Sequence, residues 1–199
     1  MKFILVFLVG VFMSADSFSQ EPVVKYTSKL ELPDPALSEI NNFIQYSPTY
    51  ASSGQPTVEQ LTLLQEEGFE RIVYIAFSSQ KHAISDEDKL VKGLGLEYLH
   101  VPVDWDRPLL SDFYAFADYL QRAPQKKTLL HCQVNMRATV FSFLYRVIYQ
   151  QVAVGQAKAD MNTVWQPSEV WRDFIFAVLA ENNISAECDG CDWTLPASM

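Results

Sequence analysis

The residues best suited to covalent chemistry in this chain are a cysteine and an arginine held in one short turn. Residues 128–139 read TLLHCQVNMRAT. An apolar run from Lys127 to His131 predicts a short strand leading straight into Cys132. A tight turn follows, and Arg137 stands at the head of a long helix predicted from about Met136 to Gln151. The first turn of a helix has N–H groups without intrahelical partners, and its dipole adds partial positive charge, so the place attracts an anion. A thiol held there is favoured as thiolate, the nucleophilic form. An arginine in the same turn can grip two oxygens of a phosphate with its planar fork. Asn135 suits the left-handed conformation needed to turn the amides of Gln133, Val134, Asn135, Met136 and Arg137 inward. The plainer readings are a buried cysteine acting as a small hydrophobe and an arginine exposed near a helix start. Positive charge is unfavourable at that end of a helix, which makes Arg137 informative.

The elements that must position this turn alternate between strand-like and helix-like. Phe43 to Ser52 predicts the first extended stretch, ending in the turn around Gly54 and Pro56. Thr57 then caps a helix carrying Leu61 and Leu64 and stopping at Gly68. Arg71 to Phe77 (RIVYIAF) and Leu96 to Val103 are rich in β-branched and aromatic residues, as buried strands are. Between them Ser85 to Gly93 predicts a short helix, with Ser85 as cap and Asp86, Glu87 and Asp88 as a solvated acidic first turn complementing the dipole. Ser111 to Arg122 is amphipathic, with Phe113, Phe116, Ala117 and Leu120 on one face. Further helices are predicted over residues 153–164 and from Pro167 to about Glu181. Phe141, Phe143, Tyr145 and Tyr149, with Trp165 and Trp171, read as core. The alternation predicts an α/β fold: a parallel central sheet of about four or five strands flanked by helices.

A chain of 199 residues suits one domain with short appendages. A net charge of −9 argues against a nucleic-acid or anionic-membrane partner, so any anion site must be made locally. At the N-terminus Lys2 precedes an apolar run from Phe3 to Met13, about half the ~20 residues a membrane span needs. Ser17 and Ser19 fit the small positions of a cleavage site before Gln20. Residues 1–19 are therefore expected to be a signal peptide and the mature chain to be exported, periplasmic or secreted, without stable membrane insertion. Residues 20–42 read as a leader packed onto a domain of residues 43–182, followed by a tail of residues 183–199. In that tail Cys188 and Cys191 form a C-x-x-C pair, expected to be a disulfide in an oxidising compartment. With only His82, His100 and His131 as histidines, no metal site and no cofactor are expected.

His131, Cys132, the turn and Arg137, with Thr139 just beyond, resemble the signature of the protein tyrosine and dual-specificity phosphatases: H-C, five residues, R, then Ser or Thr. Here four residues separate Cys132 from Arg137. That shorter spacing is similar to the bacterial beta-lactamase-hydrolase-like phosphatase family, whose loop reads C-R-S-G-T-R-S, with Asn135 in place of its glycine. Residues 53–57 (SGQPT), the strand around Val73 and residues 101–104 (VPVD) also resemble that family, so the likeness covers residues 43–150. It implies a phosphatase-like fold of the phosphotyrosine protein phosphatase II type and a phosphorylated substrate. It also implies Cys132 as nucleophile, Arg137 and the loop amides as phosphate clamp, and a general acid on the loop after the preceding strand. Asp104 and Asp106 are the candidates, with Asp104 preferred for its place directly after Val-Pro-Val. Thr139 is expected to hydrogen-bond the Cys132 sulfur, and His131 to orient the loop. Two other functions fit a C-x-x-x-x-R loop: a rhodanese-like sulfurtransferase carrying a Cys132 persulfide, and a non-catalytic phosphate-binding or interaction domain.

Overall fold

The computed structural model describes residues 34–195. The expected signal peptide and the first part of the leader lie outside the described residues. Five strands, β1 (Ile44–Ser47), β2 (Tyr50–Ser53), β3 (Arg71–Tyr74), β4 (Glu97–His100) and β5 (Thr128–His131), form one sheet in the order β1-β2-β5-β3-β4. Six helices flank it: α1 (Val58–Glu66), α2 (Glu87–Gly93), α3 (Leu110–Gln121), α4 (Met136–Tyr149), α5 (Val154–Asn162) and α6 (Glu169–Glu181).

The expected α/β class holds, with one departure. The sheet is mixed, because β1 runs antiparallel to β2. The single extended stretch expected over residues 43–52 is broken at Pro48 and Thr49, where proline fixes φ and lacks a donor, and the chain turns back as a hairpin. From β2 onward β2–β5, β5–β3 and β3–β4 are all parallel. β5 therefore lies at the centre, and its C-terminal end opens onto the edge where ligands of parallel sheets bind.

Strand alternation divides the interior. Ala51, Ile72 and Leu129, adjacent in register, face a core built with Leu37, Ile40, Leu61, Leu64, Phe69 and Val91. Tyr50, Val73 and Leu130, each one residue away from these in its strand, face the opposite core, shared with α3, α4 and α6. Leu37 and Ile40 belong to the leader, so its last residues are structural parts of the domain. α4 is buried along nearly its whole length, as its all-round apolar pattern requires. Its buried Arg146 pairs with Asp160 of α5 at 2.7 Å. In the C-terminal tail Cys188 and Cys191 are disulfide-bonded. Trp193 seats that tail on Phe143 and Phe176.

Local signals place several helix ends. Thr57 and Gln60 form a reciprocal capping box at the start of α1. The expectation for α2 needs correction. Asp86, in a left-handed conformation at φ 57°, precedes the helix in place of Ser85. Asp86 and Asp88 are solvated and pair with Lys89 and Lys92, but Glu87 is only 4 % exposed. Among the described residues no helix is long and apolar enough to cross a membrane.

Candidate active site

β5 delivers Cys132 to the C-terminal edge of the sheet, with its side chain 1 % exposed and its N–H donating to Ser53 O at 3.3 Å. The turn that follows makes its outward contacts through carbonyls. Gln133 O accepts from Gln55 N at 3.0 Å, and Val134 O accepts from Asn42 Nδ2 at 3.0 Å. Gly54 and Val134 form an antiparallel bridge. Asn135 adopts the expected left-handed conformation, at φ 69°, and reverses the chain into α4. Among the described residues the N–H groups of Gln133, Val134, Met136 and Arg137 donate to no protein acceptor. The first turn of α4 thus presents the array of unengaged donors that suits an oxyanion.

Arg137 is 5 % exposed, its Nε is buried without a hydrogen-bond acceptor, and its guanidinium carbon lies 5.1 Å from the centre of the Trp105 ring. Among the described residues no carboxylate pairs with it. The plain reading of Arg137 as an exposed helix-start residue is therefore overturned.

The segment bearing Asp104 and Asp106 meets the same helix start through tryptophans. Trp105 packs on Trp165 at 5.3 Å and on Trp171 at 5.4 Å, and its carbonyl accepts from Trp171 Nε1 at 3.1 Å. Trp165 Nε1 donates to Met136 O at 3.0 Å and to Thr139 Oγ1 at 3.2 Å. Asp104 is partly buried and its Oδ1 accepts from Asp106 N at 2.9 Å, whereas Asp106 is exposed. Thr139 directs its single hydroxyl proton to Met136 O at 3.0 Å, so in this arrangement it serves the helix turn and not the sulfur.

His131 is fully buried and lies flat against Tyr74, 4.8 Å between ring centres, with His100 stacked on the other face of Tyr74 at 5.0 Å. Its Nε2 is 3.5 Å from Glu87 Oε1, a close approach with no well-formed hydrogen bond. Burial holds the imidazole below its ordinary pKa, against the opposing pull of the Glu87 carboxylate. The buried Glu87 also accepts from Gln55 Nε2 at 2.7 Å and Tyr98 OH at 3.1 Å, tying the loops after β2 and β3 to β4. Burial and the Glu87 charge push the Tyr74 phenol up to about 12, so it stays a donor, to Phe77 O at 3.0 Å.

Of the residues expected from sequence, the structure brings Cys132, Gln133 to Arg137, Thr139 and His131 together around one helix start. Asp104 and Asp106 lie on the segment whose Trp105 touches Arg137. Asn42, Glu87 and Trp165 were not anticipated as part of this assembly. For Asn42 the available signal was its residue type, since asparagine is enriched at positive φ; Glu87 and Trp165 carried none. Among the described residues there is no cluster of three metal-ligating side chains.

A mixed five-stranded sheet with a strand–Cys–turn–Arg–helix unit at its centre is the fold of the protein tyrosine phosphatase-like class of cysteine-dependent phosphatases. The DUF442 phosphatase-type protein of Shewanella putrefaciens CN-32 is 31 % identical, covering 73 % of this chain and 96 % of that one, with a TM-score of 0.67. The chain belongs to that DUF442 family. Its fold is also similar to that of TpbA from P. aeruginosa (20 % identity, 77 % and 97 % covered, TM-score 0.53). The core catalytic domain of the PP-IP phosphatase SIW14 from S. cerevisiae is a third likeness (14 % identity, 72 % and 94 % covered, TM-score 0.58). No family model and no curated protein matches the sequence.

Proposed function

We propose that the chain is an exported phosphatase that hydrolyses a phosphomonoester through a cysteinyl-phosphate. The observation that carries this reading is the buried Arg137 guanidinium, which lacks a protein carboxylate among the described residues and follows Cys132 by five residues. A buried cation without a partner is costly, and a bound phosphoryl group would supply two oxygens to it. The Cys132 thiolate attacks phosphorus, forming the S–P bond as the P–O bond to the leaving group breaks. Arg137 and the amides after Cys132 hold the equatorial oxygens. Asp104 protonates the departing oxygen, then as carboxylate takes a proton from the water that cleaves the S–P bond and releases phosphate. The partial burial of Asp104 and its fixed Oδ1 favour it over Asp106, leaving Oδ2 for the proton.

An aryl phosphate, phosphotyrosine included, is the substrate class we favour. TpbA, of similar fold, has been crystallised with pTyr. Export rests on the N-terminal pattern and is in keeping with the disulfide of Cys188 and Cys191.

Turnover of a generic aryl phosphate tests the proposal. Cys132→Ser should abolish it, and Asp104→Asn should lower kcat by about 10²-fold or more. Asp106→Asn should cost much less. Thiocyanate production from thiosulfate and cyanide, with no phosphate released from any aryl ester, would overturn the phosphatase reading in favour of sulfur transfer.

A further inference from the structure

We propose that Asn42, from the leader, is a positioning residue for the catalytic loop, clasped with Asn135 so that the shortened loop keeps its carbonyls outward and its amides free for phosphate. The inference rests on the phosphatase reading above for its consequences, though not for its geometry.

The loop has one residue fewer between cysteine and arginine than the H-C-(five)-R signature, so fewer peptides must complete the same reversal. Three contacts hold it from outside. Gln55 N fixes Gln133 O, Asn42 Nδ2 fixes Val134 O at 3.0 Å, and Asn135 Nδ2 returns to Asn42 O at 2.6 Å. The two asparagines are thus reciprocal: each side-chain amide donates to the other's stretch of backbone. Both sit at positive φ, 50° for Asn42 and 69° for Asn135, where asparagine is among the few residues tolerated. Asn41 extends the clasp, since its carbonyl accepts from Gly54 N at 2.7 Å.

A peptide's carbonyl and N–H point in opposite directions. Fastening the carbonyls of Gln133 and Val134 therefore fixes both peptide planes: the Val134 N–H, opposite Gln133 O, is left unengaged, while the Asn135 N–H, opposite Val134 O, is held toward Ser53 O by the Gly54–Val134 bridge. Asn42 is itself exposed, and a substitution at an exposed position is ordinarily almost silent. A functional loss on changing it would thus report on the loop.

Asn42→Gly keeps the left-handed backbone and deletes the amide. Asn42→Asp keeps the shape and replaces the donor by a carboxylate facing Val134 O. In the full chain, Asn42→Gly should lower kcat/KM on an aryl phosphate about 5- to 10-fold, the worth of one hydrogen bond. Inhibition by inorganic phosphate should weaken by a similar factor, and amide exchange in the segment 132–138 should quicken. Asn42→Asp should be the more damaging. Unchanged exchange and unchanged phosphate inhibition in Asn42→Gly would overturn the clasp. Absence of turnover in the parent would instead defeat the functional reading, and the exchange measurement would still decide the clasp.

Discussion

Gly54 offers the sharpest test of how tightly the catalytic loop is braced. A Cβ added at this residue would lie 2.9 Å from Gln133 O and 3.1 Å from both Cβ and O of Asn41. Ordinary contact begins at 3.4 Å, so Gly54→Ala must push the loop carbonyl by about 0.5 Å, and two of the three obstructing atoms are backbone. Overpacking of this kind costs about 1–3 kcal/mol, or roughly 3–10 °C in Tm for a domain of this size. Gln133 is the first residue after Cys132, so the displacement also reaches the turn proposed to hold phosphate. Since 1 Å of misplacement can cost about 10²-fold in rate, half of that predicts a loss of kcat/KM of about 10-fold. Gly93, at the end of α2, is the control: its Cβ would meet nothing within 4 Å. Gly93→Ala should leave activity intact and raise stability by about 0.4–1 kcal/mol. Thermal melts and aryl phosphate turnover read both variants. A Gly54→Ala protein with its Tm within about 1 °C and its activity within about twofold of the parent would refute the close approach of these two loops.

Two further outcomes are expected. His131 is buried with its pKa below the ordinary 6.5, so below that pH the unfolded chain binds more protons than the native one. Its contribution to stability is complete above pH 6.5 and is lost as pH falls toward the lower native value, with a slope of at most about 1.4 kcal/mol per pH unit. Melts between pH 7.5 and 5.5 should show His131→Gln with a flatter acid-side decline than the parent, and identical slopes would refute this. Trp165→Phe keeps the ring against Trp105 but removes the donor to Met136 O and Thr139 Oγ1. It should cost about 1–3 kcal/mol in stability and lower turnover several-fold, and an unchanged melt would show that those bonds do not brace the loop.

The parts legible in the sequence were those set by local rules. Apolar strands of about four residues, the Thr57 cap, and the change of period at Cys132 are short-range signals, and each element appeared within a few residues of its expected place. What escaped depended on contacts across the chain. Glu87 sits in an acidic triplet identical in composition to many solvated helix starts. Its burial follows from Gln55, His131 and Tyr98 converging from three other segments, which no local pattern encodes. Trp165 and Trp171 were read as core, and they are packed, yet their indole N–H groups brace the helix start and the Asp104 segment. The hairpin of β1 and β2 was missed because an apolar run of that length fits one strand as well as two, and only Pro48 hinted at the break.

The two buried arginines of α4 show why composition alone could not separate structure from chemistry. Arg137 is 5 % exposed and Arg146 is 3 % exposed, and both stack on an aromatic ring, Trp105 and Tyr46 respectively. Arg146 meets Asp160 at 2.7 Å, an internal anion that satisfies its charge. Arg137 has no such partner among the described residues, in a chain with 24 acidic residues against 15 basic ones. With acids in that excess, leaving a buried guanidinium unpaired is not a shortage of carboxylates. A carboxylate placed there would fill the position a phosphate needs, whereas the Trp105 face supports the cation while leaving its fork open. Arg146 thus stabilises the fold, and on the function proposed above Arg137 keeps its charge available for a substrate.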